Sequence, residues 1–165
     1  MEEPRDPAAA PTSDDVRALL RHTLATAAYR GGKMVTNAPD GFADFRIGPE
    51  SRTPAEILAH VADVLDWGLS LAIGRQAWHD SPPLPWDQAV ARFHVALDAF
   101  DAYFAGGAPL ACPAERLFQG PIADTLTHIG QIAMLRRLAG SPVRAENYVA
   151  AEIAVRRDPS ARGSA

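Results

Sequence analysis

The chain has 165 residues, 47% of them hydrophobic and 22% charged, which excludes wholesale disorder and allows one domain with a real core. Sixteen Lys and Arg against 20 Asp and Glu give a net charge of −4, and no basic stripe recurs on a helix face, which excludes a charge-driven nucleic-acid binder. Fourteen prolines leave five long Pro-free windows (12–38, 55–81, 86–108, 122–141 and 143–158), and alanine fills 32 positions, a pattern that favours helices and argues against a sheet.

Residues 1–12 and 159–165 read as flexible tails around a single domain at 13–158. The first helix starts at Ser13, an N-cap followed by Asp14 and Asp15, with Val16, Leu19, Leu20, Thr23 and Ala27 as its inner stripe. Gly31-Gly32 is expected to end it. The connection from Lys33 to Arg52 is long, and its Phe42, Phe45 and Ile47 are expected to pack on the bundle. Thr53-Pro54-Ala55-Glu56 is a capping box with Pro at the first helical position. The helix it opens has Ile57, His60, Val61, Val64, Trp67, Gly68 and Leu71 on its inner face.

The third helix starts near Pro85, and its stripe of Trp86, Val90, Phe93, Leu97, Phe100 and Phe104 is a bundle seam. The fourth runs from about Pro121 to Leu138 and stops at Gly140-Ser141-Pro142. A short C-terminal helix is expected over Tyr148–Val155. The fold class is therefore all-α, a four-helix bundle with a long connection between helices one and two.

The fourth helix places Asp124, His128, Gln131, Leu135 and Leu138 on one side and Ile122, Leu126, Ile129 and Ala133 on the other. Two partly apolar sides predict a helix between layers, with one side available for a dimer contact, and turn the polar trio into the protein. His60 likewise lies within an apolar arc. Asp124 and His128, four residues apart, can share one ion, and an inward His from a facing helix completes three ligands with an open position. Two His and one carboxylate also suit non-haem iron, so ligand type does not fix the metal. The plainer alternative is that Asp124 hydrogen-bonds His128 and that His60 is a satisfied core histidine.

The remaining candidates read as structural. His94, flanked by Asp98 and Asp101, is an ion-pair partner; His22 sits on a helix edge and His79 in a loop. Trp67 and Trp86 belong to core stripes, while Asp63 and Asp66 either surround His60 or form a solvated face. Cys112, the single cysteine, lies in a Pro-flanked loop, forbids an intrachain disulfide and fits a reducing compartment. The acidic, Pro-rich start is unlike a signal peptide and no apolar run reaches a membrane span, so a cytoplasmic protein is expected.

The run Pro54-Ala55-Glu56-Ile57-Leu58-Ala59-His60-Val61-Ala62-Asp63, with Trp67 after it, resembles the second helix of the DinB/YfiT-like family of helical bundles. Asp124-Thr125-Leu126-Thr127-His128-Ile129-Gly130-Gln131 is similar to that family's late helix, written H-x-x-x-H-x-x-Q. Gly140-Ser141-Pro142-Val143 and Glu146-Asn147-Tyr148 resemble its closing segment, so the likeness spans 13–153. The resemblance implies a bundle, often dimeric, with a divalent metal held by His60, Asp124 and His128. Asp124 stands where the commoner pattern has His; a carboxylate still binds Zn, Ni, Fe or Mn, although the change equally fits a weakened or lost metal site.

Family activities include bacillithiol transferases and mycothiol-dependent maleylpyruvate isomerases. The resemblance thus implies a low-molecular-weight-thiol S-transferase or isomerase of stress or detoxification metabolism, with mycothiol or bacillithiol as co-substrate and Gln131 orienting a ligand. The alternatives are a non-catalytic metal-binding or dimeric interaction bundle, and a metal-dependent hydrolase.

Overall fold

The first three long helices open where a capping side chain or a proline stands. The computed structural model describes residues 12–155; of the tails expected at 1–12 and 159–165 all but Thr12, and the domain's last residues 156–158, lie outside these. Thr12 belongs to the first helix rather than to a tail. Its hydroxyl accepts from the Asp15 amide while the Asp15 carboxylate accepts from the Thr12 amide, a capping box that opens α1 (Ser13–Val35) one residue earlier than Ser13 would. Thr53 and Glu56 cap α2 (Pro54–Ile73) in the same way. Gly74, at φ 82°, ends α2 in the left-handed conformation, where a side chain would be strained. Pro85 precedes α3 (Trp86–Ala105).

Gly31-Gly32 does not stop α1, which continues to Val35. A Cβ on Gly31 would lie 2.5 Å from Cζ of Phe93 and 3.1 Å from Cδ1 of Ile129, so the glycine lets α1 approach α3 and the last helix closely. Packing outweighs the glycine's helix cost of about 1 kcal/mol. Gly31→Ala is therefore expected to destabilise by about 1–3 kcal/mol although alanine is the better helix former. Gly32→Ala, whose nearest neighbour would be 3.8 Å away, is expected to be neutral or stabilising. Urea midpoints of the two variants check this; equal effects would contradict it.

The last stretch begins with α4 (Ala114–Leu117), passes through a π-type turn (Phe118–Ile122) and continues as α5 (Ala123–Leu138). The sequence reading started this helix at Pro121, but Pro121 is buried inside the widened turn. Proline lacks an N–H and clashes with the preceding turn of a regular α-helix; the wider turn relieves both, so the helix passes through it. The predicted helix at 148–155 does not form. The Asn147 side chain accepts from the Val149 amide, a local turn that competes with a helix, and the segment lies against α1 without helical structure. Glu146 accepts from the Tyr29 hydroxyl and pairs with Lys33, and Tyr148 meets Tyr29 edge-on at 6.5 Å.

The four long helices form a ring in which α1 and α2 each pack against both α3 and α5. Sequence neighbours α1 and α2 thus sit mainly across the bundle from one another, which is why their connection is long. Phe42 in that connection is buried and meets Trp86 edge-on at 5.5 Å, while Phe45 is half-buried and Ile47, expected to pack, is exposed. Inside the ring lie Leu20, Leu24, Leu58, Val61, Leu65, Phe93, Phe100, Ile129 and Ile132. The α1 stripe is rotated from the predicted one: Leu24 and Met34 are buried and Leu19 is 65% exposed. Among the described residues no strand forms, and no helix is long and apolar enough to cross a membrane.

Candidate metal centre

Two helices bring the three predicted ligands together. The Thr53 cap and Pro54 set the start of α2, and His60 follows two turns later on the side facing α5. The π-type turn delivers Asp124 and His128 onto the first turns of α5. One donor atom from each of His60, Asp124 and His128 lies within 4.8 Å of the others. The His60 and His128 rings are tilted at 54° with centroids 4.7 Å apart.

The distances separate the ligand reading from the plainer one. The Asp124 carboxylate is 3.6 Å from His60 Nε2 and 3.4 Å from His128 Nδ1, too long for hydrogen bonds. His128 Nδ1 instead lies 2.9 Å from the backbone carbonyl of Asp124. With Nδ1–H donating to that carbonyl, Nε2 carries the lone pair, the arrangement that orients a ligating imidazole. Two ligand atoms on one tetrahedral ion at ordinary bond lengths are roughly 3.3–3.4 Å apart, close to the His60–Asp124 separation. Burial, together with the nearby Arg52 guanidinium, lowers the His60 pKa below its ordinary value, outweighing Asp124 and Asp63. His60 is thus neutral at pH 7, as a metal ligand must be. The donor set fits a divalent ion.

Beside His60 opens a polar cleft of about 340 Å³, bordered by Ser51, Arg52, Glu56 and Ser81. Across the site stands Trp78, 50% exposed, its ring 5.8 Å from His60 and 6.1 Å from Trp67. Sequence reasoning passed over Trp78; its only signal was a tryptophan in the loop that follows a ligand-bearing helix. Asp63 holds that loop in place. It is 1% exposed and accepts from the Ser81 amide and hydroxyl at 2.8 Å each and from Arg92, which also reaches Asp66 at 3.1 Å. Burial alone would raise the Asp63 carboxyl, but these donors outweigh it and hold its pKa below the usual 3.8. Asp63 is therefore not a solvated acid; it ties the loop to α2 and α3, and its charge also reaches His60.

The polar trio on α5 divides. Asp124 and His128 face α2, whereas Gln131 is exposed, as are Met134 and Leu138, so α5 has one open side rather than two covered ones. His22 and His79 are exposed. His94 borders a groove between α1 and α3 next to Asp98, and Asp101 is held by Arg21 through two bonds of 2.8 and 2.9 Å. Cys112 is half-buried in its loop, and burial raises its thiol pKa against the pull of Arg116. Comparison with family models, curated proteins and solved structures finds no match to this chain.

Proposed function

We propose that the protein is a divalent-metal-dependent enzyme of DinB type, in which His60, Asp124 and His128 hold the ion and the nucleophile is a low-molecular-weight thiol. The reading favours a thiol S-transferase or a related isomerase, with mycothiol or bacillithiol as the thiol. The observation that carries it is the convergence of three donor atoms within 4.8 Å, with a cleft open beside one of them, His60. A divalent ion at such a site supplies Lewis acidity that lowers the pKa of a coordinated thiol. Three protein ligands leave a position open for it.

The chain's own groups support the remaining tasks. Its one cysteine has a raised pKa, which makes it a poor nucleophile, so the reactive sulfur comes with the substrate. Arg52, exposed on the cleft rim, supplies a positive charge for an anionic substrate group. Trp78 covers one side of His60 and limits the approach of water from there.

The test incubates metal-loaded protein with an aryl chloride and a panel of thiols. The thiol sulfur forms the new C–S bond, chloride leaves and the thiol proton passes to solvent. Product formation should require the added thiol and disappear on chelation and in His60→Ala. Ester hydrolysis without thiol, lost in the same variant, would instead support the metal-dependent hydrolase reading. Metal binding with neither reaction would support a non-catalytic bundle.

A further inference from the structure

On the other side of α5 from His128, the walls of α1, α5 and the 143–148 segment border an open cavity of about 350 Å³. Each wall contributes an arginine: Arg30 from α1, Arg137 from α5 and Arg144 from the segment. Among the described residues none of the three has a carboxylate partner. The acid on the wall, Glu146, is occupied by Tyr29 and Lys33. Arg30 is held in place by stacking, its guanidinium carbon 3.9 Å from the Tyr148 ring centroid, while its buried Nε–H has no acceptor among the described residues. Met34, Leu126 and Ala133 add hydrocarbon to the same lining.

Three guanidiniums without carboxylate partners make this cavity locally positive although the chain is acidic overall, a setting that favours an anion. Guanidinium forks match the planar oxygens of carboxylates and phosphates. An apolar lining under a few convergent charged groups is the usual build of a small-ligand pocket. We propose that this cavity binds a small organic anion, a carboxylate or phosphate monoester with a compact hydrocarbon body. Its charge meets Arg30, Arg137 and Arg144, and its body lies against Met34, Leu126 and Ala133. The site is separate from the histidine cluster and does not depend on the function proposed for it.

The test is calorimetric titration of the full chain with benzoate, phenyl phosphate, benzamide and inorganic phosphate. At least one of the two organic anions should bind saturably at one site, the tighter of them identifying the headgroup. Benzamide and inorganic phosphate should each bind at least about tenfold more weakly, lacking the charge or the body. Arg137→Gln and Arg144→Gln, both at exposed positions that leave the core untouched, should each weaken the anion about three- to tenfold. His60→Ala should bind it as the wild type does. Benzamide or inorganic phosphate equalling the organic anions, unchanged affinity in both arginine variants, or loss of binding in His60→Ala would each overturn the proposal. So would absence of saturable binding by either anion.

Discussion

Arg136→Met is expected to lower the stability of the fold by about 3–5 kcal/mol, a large part of the roughly 5–15 kcal/mol of a typical domain. Arg136 is 4% exposed, and burial lowers its pKa. Among the described residues its hydrogen-bond partners include no carboxylate. Its guanidinium donates to the carbonyls of Met34, Thr36 and Asn37 at 3.0–3.1 Å and to the Ser141 carbonyl and hydroxyl at 2.9 and 3.0 Å. These groups lie at the ends of α1 and α5, where helix dipoles place partial negative charge. Methionine keeps much of the stem's packing but leaves the carbonyls without donors, at about 1–3 kcal/mol for each one kept from water. Arg137→Met, at the exposed neighbouring position, should change stability by less than about 0.5 kcal/mol. Urea unfolding followed by circular dichroism measures both; a similar loss in the two variants would contradict the assignment.

Asp63→Asn is expected to cost about 3–4 kcal/mol at pH 7, because it leaves Arg92 without its buried counter-charge and weakens the hold on Ser81. The effect should depend on pH with a definite sign. The carboxyl pKa is lower in the folded protein than its usual 3.8, so its stabilisation is fully present above that value and is lost as pH falls through the lower folded value. The stability gap between wild type and Asp63→Asn should therefore narrow on acidification below about 3.8 and stay constant between pH 6 and 8. A gap that does not narrow in acid would show that the charge contributes nothing. Tryptophan fluorescence adds a local readout, since the released loop carries Trp78 away from Trp67 and His60.

The parts of the fold legible in the sequence were those determined by neighbours along the chain. Thr53-Pro54-Ala55-Glu56 and Pro85 locate the starts of α2 and α3 because capping and the proline ring act within one turn. Gly31 and Pro121 were misread for the opposite reason. Both are local helix breakers whose effect is reversed by context, the first by close packing on Phe93, the second by a widened turn. Nothing near Arg136 in the chain marked it as buried, because its carbonyl partners at the end of α1 lie about a hundred residues away in sequence. The C-terminal segment follows the same rule: Glu146 and Tyr148 are anchored by Tyr29, Arg30 and Lys33 of α1, contacts that no helical period encodes.

The candidate metal centre was legible because a polar residue inside an apolar helical stripe is costly without a purpose. His60 and the Asp124–His128 pair stood out on those grounds, and the structure brings them to one point. Trp78 and the cleft beside His60 were not legible, since both arise where loops from different parts of the chain meet α2.

The most direct measurement is the metal content of protein purified without a polyhistidine tag, by elemental analysis, for wild type and for His60→Ala, Asp124→Ala and His128→Ala. Wild type should hold about one equivalent of divalent metal per chain. Each variant should lose most of it while keeping wild-type helicity, because all three side chains are at least partly solvent-exposed. Metal should also leave the wild type in acid, as the imidazoles protonate. A wild-type protein that binds no divalent metal, even when one is supplied, or metal content unchanged by all three substitutions, would contradict the account.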